Sequence, residues 1–386
     1  MKKNLYIMYA ISLLQGMVFY GPIATLYRQA QGVTVFQITL IESISLALTI
    51  ALEIPWGVAA DKLGYRKTMV FCSGLYFISK IVFWQAAGFW GFLLERIMLS
   101  VVISGFSGVD VTILYLSSEG GDSQKVFGIY NSANMAGLLF AAAVFSLFVK
   151  DNYALSALLT VVSYGAAAML SLCLSDVKPE PQLAPRPEPI RETLVKTLSN
   201  KTFLLFLIAV ALLTEAHQTI TVFLSQLQYT RCGLSASAMG MVYIAVTLLG
   251  LLGVYSSGLT RRLGAGPSLF LFCALDVAAC LVLALSSRAV PSVMSILAMR
   301  LSYTLLQPYQ AEIQNRQIHT GNRATALSVY SMLISTVGIV TNLIFGALSD
   351  RSLSAAFFFG GAICALSLLL FFVWHGKTQP SRVNRD

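Results

Sequence analysis

The sequence predicts an all-α integral membrane protein, twelve transmembrane helices arranged as two six-helix bundles. Three observations predict it. Apolar residues make up 56% of the 386-residue chain and charged residues only 11%, whereas a soluble domain carries about a quarter charged residues. Stretches long enough to cross a bilayer, about 20 apolar residues each, recur twelve times along a chain of mean hydropathy +0.74. A short, charged, glycine-bracketed turn at 57–67 has a counterpart at 257–264, again between two apolar stretches.

The predicted spans, one to twelve in order, lie near 5–27, 37–60, 68–87, 91–116, 124–149, 153–175, 202–229, 236–259, 267–286, 291–314, 323–348 and 353–375. Most connections are short, so neighbouring spans are antiparallel helices. A closed barrel is excluded, because the segments are too long and do not alternate in polarity. The first span follows Met1-Lys2-Lys3 but is too long for a signal peptide and lacks a small-residue cleavage site, so it reads as a mature helix.

Charge placement predicts the orientation. Eighteen of the 26 lysines and arginines fall at the termini and in the even-numbered connections, five fall on the opposite side, and Lys80, Arg96 and Arg300 lie within spans. That bias places both termini in the cytoplasm, in an inner or plasma membrane. The net charge of +9 is then topological, and no nucleic-acid partner is expected. The six cysteines show no paired or metal-like spacing, so neither a disulfide framework nor a metal site is expected.

Between spans six and seven, residues 177–200 carry Pro179, Pro181, Pro185, Pro187 and Pro189, then a charged, mildly amphipathic piece. Proline fixes φ and removes donors, so this stretch reads as an extended, solvated cytoplasmic linker. It separates a bundle at 1–176 from a second at 201–376, with a tail at 377–386. The halves match at offsets of 200 or 201 residues: Gly32-Val33-Thr34 with Gly233-Leu234-Ser235, Gly64 with Gly264, Gly121 with Gly321, and Ile129-Tyr130 with Val329-Tyr330. Several matches in register point to two copies of one six-helix unit, a known transporter plan. Thr34 and Ser235 suit helix N-caps, and Gln37 completes a capping box.

With the turn, spans, linker and repeat together, the chain resembles the major facilitator superfamily over essentially its whole length. Glu53-Ile54-Pro55-Trp56-Gly57 through Lys67 looks like the family signature between spans two and three. The piece Arg323-Ala324-Thr325-Ala326-Leu327-Ser328 resembles the start of span eleven in bacterial drug-efflux-like (DHA-type) members, and Arg96 with Gly105 and Gly108 loosely resembles the fourth-span motif. There are two departures. Arg261 stands in the second copy where the first has Asp61. Span five reads Asn131-Ser132-Ala133-Asn134-Met135-Ala136-Gly137-Leu138, without the glycine-proline-rich motif of the family's antiporters.

The turn itself allows two readings, a cytoplasmic gate or a topological anchor. As a gate, Gly57 and Gly64 permit a tight turn. Asp61 meets a helix N-terminus or a cation, the resemblance implying the start of span eleven at Arg323; such a contact contributes about 0.3–1 kcal/mol when exposed and up to ~2 when partly buried. Lys62 belongs to the same charged turn, and Arg66 and Lys67 would pair with Glu119.

Ionisable side chains inside spans cost roughly 2.5–3.5 kcal/mol each and usually face a cavity or a partner. In span ten Arg300, Tyr303, Gln307, Gln310 and Gln314 share one helical face by spacing, near a helix interruption at Pro308. Span four offers Arg96 and Asp110, span seven Glu215, and span one Gln15 and Tyr20. Interhelical scaffolding is the alternative reading for each. The resemblance implies that spans one, four, seven and ten line the cavity, so Arg96, Asp110, Glu215, Arg300, Tyr303, Gln307, Gln310 and Gln15 are the candidate substrate contacts. Glu95 reads as a headgroup-level residue, Glu42 as a snorkelling one, Lys80 and Asp276 as structural, and His217 as scaffold.

No phosphate-cradling glycine loop, nucleophile–base spacing or metal cluster is present in the sequence, so neither an enzyme nor a cofactor is expected, and energy would come from a proton or other ion gradient. The expected protein is a monomeric secondary transporter using alternating access, exporting small amphiphilic molecules with proton coupling. Uptake or facilitated transport of a small, anionic solute is the alternative, and a non-transporting membrane receptor or scaffold the remote one.

Overall fold

The computed structural model describes residues 2–118, 123–177, 190–318 and 323–378. Among these, twelve helices are long and apolar enough to cross a membrane: Lys3–Ala30, Val35–Leu52, Tyr65–Gln85, Gly88–Ser117, Lys125–Val149, Tyr153–Leu172, Lys201–Arg231, Ala236–Leu263, Gly266–Leu285, Ala289–Arg316, Ala326–Arg351 and Leu353–Thr378. Taken in chain order, these helices are spans one to twelve. The described residues contain no strand, as expected where the backbone must satisfy its own hydrogen bonds in lipid.

Short polar signals start these helices, and they recur in register. Before span two, Thr34 and Gln37 form a reciprocal capping box, Thr34 N donating to Gln37 Oε1 at 3.0 Å and Gln37 N to Thr34 Oγ1 at 3.2 Å. Before span eight, Ser235 Oγ accepts from Ala238 N at 3.3 Å. Asn152 caps span six through Leu155 N at 3.0 Å, and 200 residues later Ser352 caps span twelve through Ala355 N at 3.4 Å. Replacing Asn152 by Ala is expected to cost about 1 kcal/mol in denaturant titration of the purified protein, while Asn152→Asp keeps the acceptor and most of the stability. An equal loss in both variants would sink the capping account.

The glycine repeat holds in backbone conformation as well. Gly32 and Gly233 have φ +82° and +74°, and Gly64 and Gly264 have +87° and +88°, a region L-residues rarely adopt. The charged turn is therefore tighter than the sequence implies. Helix runs through Leu63 and resumes at Tyr65, so Gly64 alone makes the break.

The chain divides into two compact units. One comprises Met1–Leu183 with Leu234–Thr247, the other Ala184–Gly233 with Leu248–Asp386. The same pairs pack in each: spans one and five, one and six, three and six, three and four, and two and four in the first, answered by seven and eleven, seven and twelve, nine and twelve, nine and ten, and eight and ten in the second. The first half of span eight belongs to the first unit, where Ser237 Oγ donates to Ser146 O at 2.6 Å. Within the stretch read as a linker, Ile190–Ser199 forms a helix.

Span five docks on span one through the segment that departs from the antiporter motif. Side-chain volume is absent from both sides: a Cβ at Gly16 would run into the Asn134 carbonyl, and one at Gly137 into the Leu13 carbonyl. Asn134 Nδ2 donates to Ser12 O at 3.2 Å and Ser12 Oγ to Tyr130 O at 2.9 Å. Small residues and interhelical hydrogen bonds of this kind drive helix association where lipid removes the hydrophobic contrast.

Candidate functional site

In the first unit, four helices bring a charged cluster together. Arg96 of span four pairs with Glu42 of span two, Nη2 lying 2.6 Å from Oε1 and 2.5 Å from Oε2. One position before Arg96, the Glu95 side chain points into the protein and is 1% exposed. Its Oε1 lies 3.5 Å from Lys80 Nζ of span three, and its Oε2 lies 4.0 Å from Arg28 Nη2 of span one. Lys80 also donates to Tyr20 Oη at 3.0 Å and sits 4.9 and 5.3 Å from the ring centroids of Tyr76 and Tyr164. The Arg28 guanidinium stacks over Phe83 and Phe92 at 5.5 and 5.9 Å. Aromatic faces and paired carboxylates are what let three cations remain in a span region.

The structure gives three of these side chains partners that the sequence reading did not assign. Glu95, read as a headgroup-level residue, is 1% exposed beside Lys80; Glu42, read as snorkelling, pairs with Arg96; and Arg28, just past the predicted end of span one, is a buried side chain within that helix. The reason is common to all three. A long charged side chain near a span end has two ways to avoid lipid, and a partner of opposite charge within reach wins over extension to the interface.

Asp110 stands apart. Its helical segment begins after Gly108, whose φ of +83° breaks span four. The carboxylate accepts from Val111 N at 2.7 Å and lies 3.5 Å from the Tyr130 hydroxyl. Among the described residues no cation forms an ion pair with it. Gln15 is half-buried beside the irregular stretch of span one; its carbonyl accepts from Tyr164 Oη at 2.6 Å, and its Nε2 has no partner among the described residues.

In the second unit, His217 of span seven and Tyr303 of span ten stack face to face, centroids 4.0 Å apart and planes 7° from parallel. Thr221 Oγ1 holds the helix beneath, donating to His217 O at 2.8 Å. Arg300, one turn before Tyr303, extends its guanidinium to Gly250, where a Cβ would lie 2.7 Å from Nη2. Gly338 likewise leaves room for Glu215, whose carboxylate would lie 2.6 Å from a Cβ there. The predicted stripe of span ten divides. Arg300 and Tyr303 join His217, Gln307 is exposed, and Gln310 is buried with its Nε2 unpartnered among the described residues. Asp276 of span nine is 2% exposed, with no cation paired to it among the described residues.

The candidate gate is described only in part. The side chains of Asp61, Lys62, Glu119 and Arg323, with Gly57, lie outside the described residues. Lys67 is exposed, while Arg66 Nη1 lies 3.9 Å from Asp176 Oδ2 and Arg66 Nη2 donates to Leu172 O at 3.3 Å. Among the described residues its partners lie at and just past the end of span six.

A sequence family model described as Major Facilitator Superfamily matches residues 5–311. The chain belongs to that superfamily. No curated protein matches its sequence. Solved structures of like fold include the nucleoside transporter NupG (TM-score 0.79, 15% identity, 98% of this chain and 100% of that one). A D-xylose-proton symporter superposes with a TM-score of 0.72 at 12% identity over 96% and 97% of the two chains. An inward-facing bacterial Spinster homologue gives 0.70 at 16% over 98% of each. Membership of the Major Facilitator Superfamily makes this a transporter rather than an enzyme.

For a member of this superfamily, the irregular backbone is informative. Span one leaves the α-helix between Gly16 and Gly21, span four breaks at Gly108 and span seven contains a π-helical stretch at Thr219–Leu224, while span ten stays helical through Pro308 and spans five and eight carry irregular turns at Phe145–Val149 and Gly250–Tyr255. Non-helical backbone at membrane depth is tolerated where protein or a cavity satisfies it, and broken helices accompany transporter binding sites. In span one, Phe19 N finds Thr160 Oγ1 at 3.0 Å. The sequence reading did not foresee the pairing of Glu42 with Arg96, of Glu95 with Lys80 and Arg28, or the stacking of His217 on Tyr303. A signal existed, since Lys80, Arg96, Glu95 and Glu42 all fall in the first four predicted spans and such charges need partners.

Proposed function

We propose that this protein is a proton-coupled secondary transporter that moves a small polar solute across the cell membrane by alternating access. Asp110 carries the coupling proton. The observation behind this is its isolation: Glu42 and Glu95 are held by cations, whereas among the described residues Asp110 has a tyrosine hydroxyl and a backbone N–H as partners and no cation. It can gain or lose a proton without breaking an ion pair. Asp276 is similarly unpaired but fully enclosed, while Asp110 is half-buried and so open to exchange.

Arg300, Tyr303 and His217 supply solute contacts in the second unit, a flat shelf beside a guanidinium that suits a planar or acceptor-rich solute. The source of energy is the gradient, with no cofactor. The protein works as a monomer in the cell membrane with both termini cytoplasmic. Export of amphiphilic compounds is a second reading, favoured by the signature at 53–67 and the piece at 323–328.

The test uses purified protein in proteoliposomes containing a pH-sensitive dye. Nucleosides, pentoses, small carboxylates and a cationic amphiphilic dye are offered in turn. Movement of one of them is expected to shift internal pH, and an uncoupler to abolish its accumulation. A transported solute that moves no protons and ignores the uncoupler would refute proton coupling.

A further inference from the structure

A cleft of about 420 Å³ opens at the C-terminal ends of spans eight and ten, entirely within the second unit. Its origin is local. Pro308 interrupts the donor pattern of span ten, and Ser256 Oγ binds the Leu305 carbonyl at 2.6 Å, tying span eight to the helix just ahead of that proline. The cleft is rimmed by Arg261, Arg316, Ser257 and Tyr309, with Glu312 beside Arg316.

Its hydrogen-bonding character is weighted toward donors, with Glu312 supplying the carboxylate in the lining. Ser256 and Thr260 spend their protons on backbone carbonyls. The other side-chain donors among the lining residues are the Arg261 and Arg316 guanidiniums and the Ser257 and Tyr309 hydroxyls. Among the described residues Arg261 forms no ion pair. Arg316 is held by Glu312, its own neighbour one turn back, at 2.5 Å. Arg261 is also the residue at which the second copy of the charged turn reverses the sign of the first, where Asp61 stands.

We infer that this cleft is a binding site for a phosphate group, distinct from the solute site and independent of the coupling proposed above. Two guanidiniums and two hydroxyls match a ligand with several acceptor oxygens, and arginine's planar fork pairs with phosphate through two bonds at once. A volume of this size falls within the range of small-ligand sites. Glu312 acts as the internal competitor: it occupies Arg316 until an anion replaces it. The phosphate belongs either to an anionic lipid headgroup or to a soluble phosphorylated molecule, and the chemistry of recognition is the same.

The experiment uses the full-length protein in detergent micelles, with inorganic pyrophosphate titrated calorimetrically and retention of phosphatidylglycerol over phosphatidylcholine read by native mass spectrometry. Arg261→Gln is expected to weaken binding about tenfold, the loss of one charge-assisted contact. Glu312→Gln is expected to strengthen it several-fold by releasing Arg316, a gain that damage to the fold does not produce. Arg262→Gln, one residue from the rim, should leave it unchanged, and a monodisperse elution profile checks that each variant is folded. Pyrophosphate binding alone identifies a soluble ligand, and phosphatidylglycerol retention alone a headgroup. Binding of neither probe, or an equal loss in Arg262→Gln, overturns the site.

Discussion

Replacing Glu95 by Gln is expected to destabilise the first unit by about 3–5 kcal/mol, the cost of leaving buried charge uncompensated. Glu95 pairs with both Lys80 and Arg28, and all three side chains are buried. Removing its charge leaves Lys80 and Arg28 with no carboxylate within ion-pair distance among the described residues, held by the ring faces of Tyr76, Tyr164, Phe83 and Phe92 and the Tyr20 hydroxyl. The cluster joins spans one, three and four, so the loss should appear as early unfolding of the whole unit in a denaturant titration. Lys80→Met combined with Glu95→Gln should recover much of it, because a well-filled apolar site replaces the broken pair. Strictly additive losses would show that Lys80 and Glu95 do not act as a pair.

Asp110→Asn is expected to lower gradient-driven accumulation by about a hundredfold or more while leaving solute exchange across the membrane near the wild-type rate. The amide keeps the size of the side chain and its acceptor toward Val111 N, so folding and the solute site should survive. What it removes is the proton-carrying oxygen. A hundredfold change corresponds to roughly 2.7 kcal/mol of coupling, the energy of one proton crossing about 120 mV. Counterflow measured beside accumulation separates the two roles. Equal loss of both would make Asp110 a structural or solute-binding residue instead, and unchanged accumulation would move the coupling elsewhere.

The two carboxylates differ in a way their sequence positions do not disclose. Glu95 and Asp110 lie on the same span, fifteen residues apart, and both are span carboxylates by composition. Glu95 has two cations approaching from spans one and three, brought there by helix packing. Asp110 sits beyond the break at Gly108, in the first turn of a new helical segment, and among the described residues no cation pairs with it. The periodicity of span ten was equally incomplete as a guide. It placed Arg300 and Tyr303 on one face, and they do converge with His217. It also placed Gln307 and Gln310 there, yet one is exposed and the other buried, because spacing specifies a stripe while neighbours decide how much of that stripe is covered.

By itself, the order of residues determined the number of spans, the duplicated six-helix unit and the helix starts. Each depends on a local free energy: long apolar runs prefer lipid, hydroxyl and amide side chains satisfy nearby N–H groups, and glycine alone adopts positive φ cheaply. The caps at Asn152 and Ser352 and the glycine pairs 32 with 233 and 64 with 264 needed no tertiary information. Only the tertiary structure decided which charges meet. Arg28 reaches Glu95 across 67 residues, and Arg96 reaches Glu42 across 54, distances at which periodicity carries no signal. Electrostatics inside a membrane is strong but short of sequence range, so pairing follows the packing of whole helices and cannot precede it.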